Sequence, residues 1–148
     1  MKLPKQVEIV EVSPRDGLQM LPLFVPTADK IKLIGSAKEA GFKRIEAVSF
    51  VSPKAVPQMA DADEILQAIG DDVNIDEVAL ALNQKGYKRA IEAKVDWICY
   101  VMAATETMSL KNANTTIADG LQMTKNCIAE AHANGVKVRG SIAVTWVC

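Results

Sequence analysis

The sequence predicts an α/β fold assembled from parallel strand-helix units. Short apolar runs rich in β-branched residues recur five times, a helical pattern separates each from the next, and every connection is too long for a hairpin. Parallel strands with right-handed crossovers follow, and two architectures accommodate them: a doubly wound sheet and part of a (β/α)₈ barrel. No Gly-rich phosphate fingerprint follows any strand, which weakens the dinucleotide-binding form of the first.

The first strand is expected over 7–12, because Val7, Ile9, Val10 and Val12 are β-branched and fit no helical spacing. Pro14 removes a ladder donor and Asp16-Gly17 favours a turn, so the strand stops there. Arg15 and Asp16 are left at its carboxyl end, where parallel α/β folds bind ligands. A plain surface turn with both charges solvated is the alternative. Residues 18–26 form a loop. Thr27 is read as the N-cap of a helix to about Ala40, with Ile31, Ile34 and Ala37 on one face, Lys30, Lys32 and Lys38 mostly elsewhere, and Gly41 closing it.

A second strand covers 44–51, followed by a loop held by Pro53 and Pro57. Asp61 and Glu64 have the spacing of a capping box that opens a short helix through Ile65, Leu66 and Ile69 to Gly70. The third strand is 77–82, with Asn83 the first polar residue after it, and a helix through Tyr87, Ala90 and Ile91 follows. The fourth strand is 95–102, and 105–114 reads as a polar loop. The longest helix runs from Thr116 to Asn134, with Ile117, Leu121, Ile128 and Ala131 in one stripe and Gly135 at its end. A fifth strand occupies 136–144.

With 148 residues and 49% hydrophobic content, the chain has the size and apolar mass of one domain. Its net charge of -1 balances 17 basic against 18 acidic residues with no long run of either, so neither a nucleic acid nor a membrane surface is an expected partner. Small-molecule chemistry fits better. Cys99, Cys127 and Cys148 lack zinc-type spacing and read as reduced thiols of a cytoplasmic protein. Met1 to Lys5 leads directly into a strand, without a signal or transit pattern.

The run Val10-Glu11-Val12-Ser13-Pro14-Arg15-Asp16-Gly17-Leu18-Gln19 resembles the signature opening of the 3-hydroxy-3-methylglutaryl-CoA lyases, within the metal-dependent lyase and Claisen-synthase barrels. Ile45-Glu46, Ser49-Phe50-Val51-Ser52-Pro53-Lys54 and Val56-Pro57-Gln58-Met59 resemble that family's second strand and loop. Asn83-Gln84-Lys85-Gly86, Ala103-Ala104-Thr105-Glu106, Lys111-Asn112-Ala113-Asn114 and Val138-Arg139-Gly140 are similar to later segments. Met20-Leu21 departs from a usual polar pair and Thr145-Trp146-Val147 from smaller residues, both near the expected mouth of a site.

The resemblance implies a TIM barrel with about five of its eight strands present, an incomplete barrel, since a whole one takes roughly 250 residues. On this expectation 1–148 is the N-terminal portion of a single (β/α)₈ lyase domain, and the family's His-x-His, metal-binding Asn and reactive Cys follow the fifth strand. The implied reaction is divalent-metal-assisted cleavage of a 3-hydroxyacyl-CoA to acetyl-CoA and acetoacetate. A Claisen-type synthase or aldolase, and a non-catalytic fragment, are the alternatives.

Within that resemblance Asp16 matches the metal ligand for Mg²⁺ or Mn²⁺, a hard oxygen donor. Arg15 matches the catalytic arginine, whose rigid fork suits a developing enolate oxygen. Glu46 matches a site glutamate that orients Arg15 or joins proton transfer, with a purely structural salt bridge as the alternative. Gln19 and Ser49 match substrate-side positions and could equally cap turns. Asn83, Asn112 and Asn114 are weaker candidates, ordinary for turns. His132, near a helix end, and Cys148 are set aside. Five strands leave two open edges, so association into a homo-oligomer, a dimer, is expected.

Overall fold

The computed structural model describes residues 3–70 and 74–146. Five strands, β1 (Val10–Glu11), β2 (Arg44–Ser49), β3 (Asp76–Ala81), β4 (Trp97–Ala103) and β5 (Lys137–Ala143), form one parallel sheet in sequence order. A doubly wound sheet reverses its strand order part way; this one does not, and it curls into a half-barrel. The helices are α1 (Thr27–Glu39), α2 (Ala62–Ile69), α3 (Gln84–Glu92), α4 (Glu106–Ala113) and α5 (Ile117–Ala133). Ile34 of α1, Ile65 of α2, Tyr87 of α3 and Cys127 of α5 share one core with Ile45, Ala79 and Ile98 on the outer face of the sheet. Val78, Leu80 and Cys99 form a second apolar cluster on the inner face.

Helix ends follow the glycines. Gly41 and Gly135 close α1 and α5 with φ of 93° and 76°, a conformation that costs other residues strain. At Gly86 the demand is different, because a Cβ there would lie 2.2 Å from the Phe50 carbonyl oxygen. Only glycine lets α3 approach the end of β2 this closely. Asn83 caps the same helix, its side chain accepting from the Gly86 N–H at 2.9 Å, so its turn-forming reading is the structural outcome.

Five expectations are corrected. The first strand pairs only at Val10 and Glu11, and Val7 and Ile9 are exposed; β-branched residues favour strands where they pack, and at this edge they do not. Thr27 begins α1 without capping it, and Asp61 makes no capping bond at α2. Instead Lys30, expected away from the apolar face, is fully buried, and its Nζ donates to both Asp61 oxygens at 2.8 and 2.9 Å while Thr27 Oγ1 donates at 2.8 Å. A buried ammonium needs that carboxylate more than a helix end does. Finally, the expected loop 105–114 contains α4, capped by Thr105 accepting from the Met108 N–H and ended by Asn114 in the left-handed region at φ 52°. Its Leu110 is exposed, so no apolar stripe advertised the helix.

One irregularity matters for the site. β2 pairs with β3 through Glu46↔Val78, Val48↔Ala79 and Ser49↔Leu80, a bulge that carries one extra residue. Val78 and Leu80 belong to the inner cluster and Ala79 to the outer core. Glu46 and Ser49, three positions apart, therefore both register with inner-face residues.

Candidate active site

The chain leaves β1 through a tight π-type turn at Ser13–Gly17, in which the Leu18 N–H reaches the Ser13 carbonyl. Glu11 steadies its start: the Ser13 N–H donates to Glu11 Oε1 at 2.7 Å and holds that carboxyl below its ordinary pKa. The turn directs Arg15 inward. Its Nε donates to Glu46 Oε1 at 2.5 Å, its Nη2 pairs with the same oxygen, and its Nη1 donates to Asp16 Oδ1 at 2.6 Å. Glu46 is fully buried, the Arg15 side chain is 14% exposed and that of Asp16 is 59% exposed, so polarity opens from the sheet interior toward solvent.

Sequence reasoning assigned no role to Arg139. From the inner face of β5 its Nη2 donates to Glu46 Oε2 and, at 3.2 Å, to Cys99 Sγ, which lies 3.7 Å from Ser141 Oγ. Burial opposes the Arg139 charge, but the Cys99 hydrogen bond and the Glu46 carboxylate outweigh it and raise its pKa. Glu46 thus carries a guanidinium on each oxygen. That favours the orienting role over proton transfer, since both acceptor sites are engaged. An arginine within a run read as a parallel strand was the only local signal available, because a charge that turns toward the sheet interior requires a partner.

Gln19 and Ser49 also lie at the carboxyl ends of β1 and β2. Gln19 Oε1 and Ser49 Oγ are buried and have no hydrogen-bond partner among the described residues, although Ser49 as a whole is only 1% exposed. Buried polar atoms without partners are uncommon and mark positions where a ligand or water supplies the bond. His132 is exposed near the end of α5, away from this cluster, and Cys148 lies outside the described residues. Asn112 and Asn114 belong to α4 and its end.

The loop after β1 is pinned from below. Gln58 Nε2 donates to the Leu21 carbonyl at 2.9 Å and to that of Leu23, while its Oε1 accepts from the Val25 N–H at 3.1 Å. Lys30 Nζ in turn donates to the Gln58 carbonyl and stands 4.4 Å from the Phe24 ring centre. Met20 and Leu23 remain exposed above this clamp.

As a metal ligand Asp16 fits in type and position: a hard carboxylate, largely accessible, at the strand-end rim. No group of three or more His, Cys, Asp or Glu side chains gathers around it among the described residues. No helix among the described residues is long and apolar enough to cross a membrane.

Comparison with known proteins gives the family. The HMGL-like family model matches residues 6–145. The mitochondrial hydroxymethylglutaryl-CoA lyase of Bos taurus is 44% identical over 98% of this chain and 45% of its own length. A Pseudomonas aeruginosa 3-hydroxy-3-isohexenylglutaryl-CoA/hydroxy-methylglutaryl-CoA lyase is 41% identical over 100% of this chain and 49% of its own. The solved HMG-CoA lyase from Acinetobacter baumannii, in complex with coenzyme A and 3-methylmalate, superimposes with a TM-score of 0.90 at 39% identity, covering 95% of this chain and 46% of that one. The chain spans about half the length of the relatives it matches. With its parallel half-barrel and the Arg15, Asp16 and Glu46 cluster at the strand ends, the chain belongs to the HMGL-like family.

Proposed function

We propose that the protein is a carbon-carbon lyase that cleaves 3-hydroxy-3-methylglutaryl-CoA, or a related 3-hydroxyacyl-CoA, to acetyl-CoA and acetoacetate, and that residues 1–148 are the N-terminal portion of its barrel. The observation that carries this reading is Arg15, locked by Glu46 on one side and Asp16 on the other at the carboxyl ends of β1 and β2. A guanidinium has five donors, so one hydrogen on each terminal nitrogen of Arg15 is left to hold a substrate oxygen. Fixed in advance, it stabilises the negative charge that gathers on the thioester oxygen as the carbon-carbon bond breaks. Gln19 and Ser49, whose buried oxygens have no hydrogen-bond partner among the described residues, would orient the substrate's hydroxyl and carboxyl groups.

Asp16 would hold a divalent cation, Mg²⁺ or Mn²⁺, together with ligands from beyond residue 148. When bound, such an ion supplies Lewis-acid polarisation of substrate oxygens. An acyl-CoA partner is supported by the coenzyme A complex of the Acinetobacter baumannii relative. The free, buried Cys99 and Cys127 suit a reducing compartment, in keeping with a cytoplasmic protein. The two sheet edges, at β1 and β5, support association into a dimer wherever they stay uncovered.

The test is acetyl-CoA release from 3-hydroxy-3-methylglutaryl-CoA by the polypeptide extended past residue 148, with Mg²⁺ or Mn²⁺ added. Metal-dependent release is expected from the extended protein and none from residues 1–148 alone. Condensation of acetyl-CoA with a 2-oxo acid, without thioester cleavage, would replace the lyase reading by the synthase one.

A further inference from the structure

We infer that Arg139 is a positioning residue for the reaction centred on Arg15, acting through Glu46; this rests on the lyase reading above. Arg139 and Glu46 are 93 positions apart and sit on β5 and β2, with β3 and β4 between them. Three interstrand spacings put those strands roughly 14 Å apart along the sheet. The two side chains meet only because the sheet curls, so their ion pair is a chord across the half-barrel.

That chord has a geometric consequence at Arg15. The last torsion of a glutamate is broad, and a single donor leaves the carboxylate plane free to swing. Here Arg15 occupies Oε1 and Arg139 occupies Oε2, which fixes the plane from both ends. The plane of Glu46 sets the direction of the Arg15 fork, and hence where its remaining donors point. Arg139 is itself anchored, its Nη2 shared between Glu46 and Cys99 Sγ. Its link to the Arg15 cluster runs through Nη2 to Glu46, which makes its part there a positioning one, while its Nε–H is buried without a partner among the described residues.

A tie that only stabilised the barrel would alter folding and leave the chemistry of the folded fraction intact. The experiment therefore compares Arg139→Met in the wild-type and Glu46→Gln backgrounds of the extended protein, measuring kcat and KM for thioester cleavage. In the wild-type background kcat is expected to fall about 10–100-fold. KM should move less than about threefold, because an interaction tightened at the reacting centre is the one being lost. In the Glu46→Gln background the same change should add less than about twofold, since Arg139 has no separate route to Arg15. An undiminished kcat in folded Arg139→Met, or the full loss repeated on top of Glu46→Gln, would overturn the inference. Arg139→Gln, a gentler change, is read in the same way if the methionine variant does not fold.

A second readout separates this inference from the lyase reading. Absence of thioester cleavage by the wild-type extended protein defeats the lyase reading alone. The Arg15 Nε–H resonance then decides: hydrogen exchange at that proton should quicken at least about tenfold in Arg139→Met, as expected when its hydrogen-bonded setting loosens. An unaltered exchange rate overturns the positioning role whatever the activity assay gives.

Discussion

Arg15 Nε stands 2.5 Å from Glu46 Oε1, which ties the turn after β1 to the interior of β2 across 31 positions of sequence. Glu46 is fully buried, and its second oxygen serves Arg139, so one carboxylate compensates two guanidiniums. Glu46→Gln removes the charge both depend on. Stability should fall by roughly 3 kcal/mol, the scale for leaving buried charge uncompensated. Equilibrium denaturation of the variant checks this, and an unchanged midpoint would mean that neither arginine relies on the ion pair.

Arg15→Lys keeps the charge and loses the planar fork. A single ammonium cannot face Glu46 and Asp16 and still present two donors to a substrate. The extended protein should lose about 10²–10³ in kcat, as when one preorganised donor is removed. Steady-state kinetics with 3-hydroxy-3-methylglutaryl-CoA measures it.

Lys30 and Asp61 form a second buried pair, with Lys30 wholly inaccessible and the Asp61 side chain 8% exposed. Lys30→Met should destabilise the protein by roughly 3–5 kcal/mol by orphaning the carboxylate. Adding Asp61→Asn, which still accepts from Thr27, should return much of that loss. Urea midpoints of the single and double variants decide it, and additive losses would contradict the pairing.

At the amino-terminal end of the sheet, burial works to raise the Asp76 pKa. Hydrogen bonds from Arg44 at 2.6 and 3.1 Å and the Lys137 charge outweigh burial and lower it overall. A carboxylate with a lower pKa folded than unfolded adds stability above its unfolded value, and that increment disappears as pH falls through the folded one. Asp76→Asn should therefore lower Tm at neutral pH and converge with the parent as pH falls below about 4, the ordinary Asp value. A Tm difference that stays constant as the pH is lowered would argue that the charge is not responsible.

Gly86→Ala places a methyl group against the Phe50 carbonyl, at 2.2 Å before any relaxation. Backbone cannot yield as a flexible side chain does, so α3 must shift. A loss of about 1–3 kcal/mol or more is expected, measured by thermal unfolding.

Much of this fold is legible locally. Five apolar runs, separated by helical stripes and closed by Gly41 and Gly135, give the order and type of nearly every element within a few residues. Arg15, Asp16 and Glu46 could be singled out because a strand end with charge is unusual and the surrounding motif resembles a known family. What stayed hidden depends on distant partners. Arg139 acquires meaning only beside Cys99 and Glu46, 40 and 93 positions away, and Lys30 only beside Asp61, 31 positions away. α4 was missed because its cap is a single threonine and its leucine faces solvent. The first strand was overextended because β-branched composition cannot tell a packed strand from an unpaired edge.

The extra residue in β2 inverts the odd-even order of everything beyond it. Were β2 regular with Ala47 kept in the ladder, Ser49 would register with Ala81 on the helix-covered side and Phe50 with the hollow, so a hydroxyl would enter the hydrocarbon and an aromatic ring would fill the space beside Glu46. Straightening β2 with Ala47 retained is thus a frame error in three dimensions: the strand could keep its ladder while exchanging the wet and dry sides of its upper half.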